Sequence, residues 1–154
     1  MTHRVGMTVL MVGMLAAGIP LLSACAGLMS GTSSLQGEWV LTSGSDADGS
    51  FIEPVQPVTL TFGGDAVSGQ APCNAYSGAV VRGPGANDVG PLEFGGLTRT
   101  EMGCAEQEQN LLEGRYFAAL EATDRVQVSD DSETLELTGD AIFVRFDRSE
   151  SREG

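Results

Sequence analysis

Cys73 and Cys104 are the side chains of this sequence with the most chemistry open to them. A thiol pair can form a disulfide, hold a soft metal or act through a thiolate. They stand in Ser68–Gly78 (SGQAPCNAYSG) and Thr98–Cys104 (TRTEMGC), and a third cysteine, Cys25, lies near the N-terminus. Around them the reactive alphabet is thin. The only histidine is His3, lysine is absent, and all 8 basic residues are arginines. Once a leader carrying His3 is removed, nucleophilic sites built on histidine, lysine Schiff bases and the usual histidine metal sites have no residues to use. Two cysteines do not complete a structural zinc site, and no phosphate-cradling Gly-Lys loop or dinucleotide fingerprint is present. The expectation is therefore a protein that is not an enzyme and carries no cofactor and no metal.

Carboxylates are the remaining option, with 21 acids in the chain. A glycosidase needs two of them across a cleft, and no spacing here singles out a pair. Asp46-x-Asp48-Gly49-Ser50 resembles the start of a calcium loop, but the twelfth position is Pro57 where a bidentate Glu is needed. A solvated turn is the simpler reading, with a weak calcium site near Asp46 and Asp48 as the alternative. Asn74 and Tyr76, beside Cys73, read as a turn amide and a core tyrosine with a satisfied hydroxyl, or as polar contacts of a ligand site. Met102 reads as core filler.

The N-terminus says where this chemistry takes place. Met1–Arg4 is a short basic start, Val5–Leu22 is apolar, and Leu22-Ser23-Ala24-Cys25 follows. Small residues and then a cysteine after an apolar run match a bacterial lipoprotein signal, residues 1–24, with the Cys25 thiol receiving a diacylglycerol. A transmembrane anchor is the alternative, since the run is barely long enough to span. Residues 25–34 then form the lipidated cysteine and a flexible tether. The expected location is the outer face of the cell membrane. In that compartment Cys73 and Cys104 are expected to form a disulfide; a reactive Cys104 thiol ahead of a helix is the alternative. The formal charge of −13 repels phosphate backbones, so no nucleic-acid partner is expected.

The elements that must position the pair follow from periodicity. Leu35–Thr42 reads as a first strand with Trp39 and Leu41 on one face, and Ser43–Ser50 as a loop. Val58, Leu60 and Phe62 alternate with threonines as a half-buried strand. Residues 73–81 are expected to be extended, 82–89 to be a loop, and Leu92 and Phe94 to mark a short strand. Leu112, Tyr116, Ala119 and Leu120 give one apolar stripe on a helix over Glu106–Ala122. Strands over Arg125–Val128, Thr134–Leu137 and Ala141–Phe146 follow, joined by Asp and Gly turns. The charged tail 148–154 is expected to be disordered. The fold class is mainly β (α+β): an antiparallel barrel or roll with one packed helix.

The same residues carry a resemblance. Gly37-x-Trp39, Leu60-Thr61-Phe62, and Gly69 followed by Cys73-Asn74-x-Tyr76-x-Gly78 come first. Leu97-x-x-Thr100-x-Met102-x-Cys104, Glu113-x-x-Tyr116-x-x-Ala119-Leu120, Leu135-x-Leu137 and Phe146 follow in order. In this order and spacing they resemble the META domain family (HslJ-like), typified by a heat-inducible lipoprotein. Ala71-Pro72 departs from that pattern, in which a small residue such as Gly directly precedes Cys-Asn; Pro72 has no N–H to donate and delays strand pairing. The resemblance implies a META-like domain over residues 35–147, rich in β structure, and an envelope role linked to stress or antibiotic tolerance. It brings no catalytic residues. The expected partners are the membrane through the lipid anchor and another envelope protein; the alternative is a small apolar ligand or lipid carried inside the barrel.

Overall fold

Trp39, fully buried, marks where the sheet closes on itself. It lies on β1 (Gly37–Asp46) and pairs with Leu60 of β3 on one side and Arg148 of β9 on the other. The computed structural model describes residues 33–84 and 88–150. Its remaining elements are β2 (Gly49–Ser50), β3 (Thr59–Gly63), β4 (Ala66–Gln70), β5 (Ala75–Arg82), β6 (Val89–Arg99), α1 (Gln107–Glu121), β7 (Thr123–Val128), β8 (Thr134–Gly139) and β9 (Ile142–Arg148). Every pairing is antiparallel between neighbours in the order β1-β3-β4-β5-β6-β7-β8-β9, and β9 returns to β1. The result is an eight-stranded closed barrel with one helix and with β2 as a short flap on β1. Closure gives every barrel strand a neighbour on both sides.

Alternation supplies the interior. Leu60 and Phe62, Val126 and Val128, Leu135 and Leu137, and Val144 and Phe146 are buried at every second position, as half-buried strands require. Each fully buried large apolar side chain contributes roughly 1.5–3 kcal/mol over an exposed one.

Two strands are longer than the residue pattern suggests. Ser43–Asp46, expected as loop, continues β1 after a register shift between Leu41 and Ser43. This small polar run is a strand because β9 pairs with it from Phe143 to Arg145, and Gly44 sits under the Phe51 ring, where an added Cβ would lie 2.3 Å from the ring edge. β6, expected as a short strand around Leu92 and Phe94, runs eleven residues. Gly96 at φ +58° accommodates the irregularity opposite Ser77 and Ala79. β5 starts only at Ala75, in keeping with the delay that Pro72 imposes.

In an antiparallel barrel the strand ends gather at two mouths. The ends of β1, β4, β6 and β8 and the starts of β3, β5, β7 and β9 share one of them. Here α1 packs, burying Leu112, Tyr116, Phe117, Ala119 and Leu120, and passes directly into β7, with Thr123 Oγ1 donating to Ala119 O at 2.9 Å. At the opposite mouth Leu35 is fully buried and its carbonyl accepts the Trp39 indole N–H at 2.9 Å. Arg148, expected in the tail, is instead the last residue of β9. Its guanidinium lies 4.1 Å from the Trp39 ring centroid and donates to the carbonyls of Ser34, Gln36 and Ser132. Stacking and three carbonyl partners make a charged residue part of the closure.

Candidate functional site

Cys73 lies between β4 and β5, and Cys104 three residues ahead of α1. They form a disulfide with Cα atoms 5.3 Å apart and 31 residues of sequence separation. Both sulfurs are therefore occupied, and a free Cys104 thiolate does not exist in this state. The Glu113 carboxylate and the two sulfurs lie within 4.8 Å of one another, a grouping that suggests a metal centre. Disulfide sulfurs are not the thiolates that bind metals, so the grouping acts as a covalent staple beside a carboxylate. Cys25, the signal and residues up to 32 lie outside the described residues.

The polar centre beside this staple is Glu113, only 4% exposed. It accepts from Cys73 N at 2.8 Å, Asn74 N at 3.0 Å and Asn74 Nδ2 at 2.6 Å. Asn74 in turn donates through Nδ2 to Met102 O at 2.8 Å. Its Oδ1 accepts from Met102 N at 2.6 Å and Thr100 Oγ1 at 2.8 Å. Asn74 thus ties α1, the turn before β5 and the segment before α1 into one knot. Charge-assisted bonds to backbone N–H groups are stronger than neutral ones, which is how a buried carboxylate is tolerated here. Asn74 is the turn amide its sequence position suggests, while the burial of Glu113, which begins the Glu113-x-x-Tyr116 match, has no signature in the helix pattern.

Tyr76 is the core tyrosine expected. Its hydroxyl donates to Thr59 O at 2.8 Å and accepts from the Tyr116 hydroxyl at 2.7 Å. Burial pushes both phenols well above their ordinary range, so neither serves as an acid or base near neutrality. Gly69 makes room for this pair. A Cβ there would lie 2.0 Å from Thr59 O and 2.7 Å from the Tyr76 hydroxyl.

Asp46 and Asp48 belong to the β1–β2 hairpin. Arg115 on α1 donates to Asp46 through Nε at 2.8 Å and Nη2 at 2.6 Å, and to Gly49 O at 2.7 Å. The Arg115 hydrogen bond holds the Asp46 carboxyl below the usual carboxylate range. The arginine fork engages both Asp46 carboxylate oxygens, so this is a turn clamped to the helix.

Met102 is not core filler: it is 59% exposed. It borders a groove of about 220 Å³ together with Val55, Pro72, the Cys73–Cys104 bridge and Gln109. Val55 is 69% exposed, and its N–H is held by Gln109 Oε1 at 3.2 Å, while Gln109 Nε2 donates to Glu53 O at 3.2 Å. The backbone beneath the groove is fixed, and the side chains above it face solvent.

A closed antiparallel barrel capped by one helix, with a disulfide and a buried Asn–Glu knot at the capped mouth, defines the class of protein. The META domain profile matches residues 33–150, and the chain belongs to the META domain family. No curated protein matches it. Among solved structures, a protein from Burkholderia xenovorans determined by NMR is similar at 32% identity and a TM-score of 0.62, covering 77% of this chain and 86% of that one. A second NMR structure is similar at 23% identity and a TM-score of 0.52, covering 74% of this chain and 90% of that one; it bears on the fold alone.

Proposed function

We propose that this protein is a lipid-anchored envelope lipoprotein whose META domain binds another envelope component without catalysing a reaction. The observation that carries this choice over a carrier is the filled barrel. Trp39, Phe62, Tyr76 and Phe146 are each at most 4% exposed, and Tyr116, fully buried, stacks edge-on against Tyr76 and Phe146. A carrier of an apolar ligand needs interior volume, and these rings occupy it. The lack of lysine and, beyond His3, of histidine supports the non-catalytic reading. The lipobox around Cys25 supports anchoring at the outer face of the membrane, because two acyl chains suffice for stable attachment. A role in stress or antibiotic tolerance is the family's suggestion and belongs to the same proposal.

Native mass spectrometry of the full chain, isolated gently from its own envelope, tests the central point. The expected mass is the oxidised, acylated chain with nothing else retained. An apolar adduct lost on denaturation would establish the carrier instead. Replacing Cys25 by Ala is expected to abolish acyl labelling and release the protein; persistent labelling would remove the anchor from the reading.

A further inference from the structure

We infer that the groove between Met102 and Val55, over the Cys73–Cys104 bridge, is the docking surface, and that its occupant is a polypeptide segment carrying an apolar side chain flanked by arginine or lysine. This deepens the binding reading above and rests on it. Two observations specify the occupant. The groove presents large apolar side chains to water, Met102 at 59% and Val55 at 69% exposure, over a floor held by the disulfide and by Gln109. Exposed methionine beside apolar walls is a common feature of surfaces that accept apolar side chains.

The second observation is the charge around it. The groove's one charged lining residue is Glu106, and the three segments that build it, residues 51–58, 71–74 and 100–110, also contain Glu53, Glu101 and Glu108 and no basic residue. All four carboxylates are exposed. The nearest arginines in sequence are engaged elsewhere, Arg99 over the Phe117 ring at 4.7 Å and Arg115 on Asp46. An apolar slot lined by a carboxylate and by no cation selects a cationic, apolar segment by complementarity. It disfavours a second copy of this chain, whose carboxylate would meet its own charge. It also disfavours an anionic bilayer, and the chain enters the barrel at the opposite mouth, by Leu35.

The test separates the groove from general attraction to an acidic protein. The mature full chain is placed in nanodiscs of zwitterionic lipid and titrated with a fluorescein-labelled octapeptide bearing paired arginines on either side of two leucines. Met102→Glu and Val81→Glu add the same negative charge, the first in the groove and the second at an exposed position near the far end of β5. If the groove is the site, Met102→Glu weakens binding about tenfold although it makes the protein more acidic, and Val81→Glu leaves it unchanged or tighter. Equal effects of the two variants, or no peptide binding, overturn the proposal. So do sedimentation showing dimers that Met102→Glu dissociates, or Met102-dependent flotation with anionic vesicles. The acyl mass on Cys25 is read separately, so a failed anchor and a failed groove give different results.

Discussion

Glu113 and Asn74, 39 residues apart in sequence, are joined by a 2.6 Å hydrogen bond in which the amide of Asn74 donates to the helix carboxylate. Because the same carboxylate also holds the N–H groups of Cys73 and Asn74, it substitutes for strand pairing in a stretch where Pro72 prevents it. Glu113→Ala leaves three donors without their acceptor and is expected to lower unfolding free energy by about 3 kcal/mol or more. The exposed Glu108→Ala should stay within about 0.5 kcal/mol. Urea denaturation with the disulfide intact measures both, and equal small losses would reduce Glu113 to a surface role.

Gly69 is expected to be intolerant of even one added methyl group. Its Cβ would collide with the Thr59 carbonyl, which is backbone and cannot swing aside. Gly69→Ala should cost about 1–3 kcal/mol, whereas Gly63→Ala, whose Cβ meets nothing within 4 Å, should leave the melting temperature nearly unchanged. The comparison of the two thermal transitions decides the point.

Opening the Cys73–Cys104 bridge releases a loop of 31 residues. On the chain-entropy view this lowers stability by roughly 3.5–4 kcal/mol. The double replacement Cys73→Ser with Cys104→Ser should therefore unfold at markedly lower denaturant, and alkylation of the native, unreduced protein should modify neither cysteine. Ready alkylation would mean that the bridge is absent in the protein as isolated.

Asp46 links stability to acidity. Its carboxyl titrates lower in the folded state than in the unfolded chain because Arg115 hydrogen-bonds its charged form. The stabilisation is present above the unfolded value, about 4, and is lost as pH falls through the lower folded value. Melting temperature should accordingly drop on acidification from about pH 5 to 3, and Asp46→Asn should flatten part of that drop while being the less stable protein at neutral pH. Asp131, lowered by its bond from Ser129, titrates in the same sense, so the slope persists in reduced form. An unchanged profile in Asp46→Asn would show that the Arg115 pair contributes nothing.

The residue pattern revealed the elements whose side chains alternate or repeat cleanly. Leu60 and Phe62 announced β3, and Leu112, Tyr116, Ala119 and Leu120 announced the helix, because burial selects apolar residues at a fixed period. What escaped depends on partners distant in sequence. Ser43–Asp46 looks like a loop because the strand it pairs with, β9, lies far along the chain, with Gly44 opposite Val144. Gln109 and Glu113 look like the solvated face of a helix, and are buried because their acceptors and donors sit on loops from elsewhere in the chain. Arg148 reads as tail until Trp39 and the carbonyls of Ser34 and Gln36, over a hundred positions earlier, are brought beneath it. Met102 misled in the other direction. An apolar residue beside a cysteine suggests core, and only the fold shows that its backbone is held by Asn74 while its side chain is left in the open.

The strand that receives the incoming chain is flanked on both sides, by β3 and by β9, and Arg148 grips the residues just ahead of it. If the chain is anchored as proposed, a pull on its N-terminus is met by the Arg148 clamp and by two ladders, those of β1 with β3 and with β9. The N-terminal end of the domain is thus held by a side-chain clamp and by two ladders at once. A domain held in this way could be dragged by a bound partner, or by a moving envelope, without losing the shape of the surface at its far mouth.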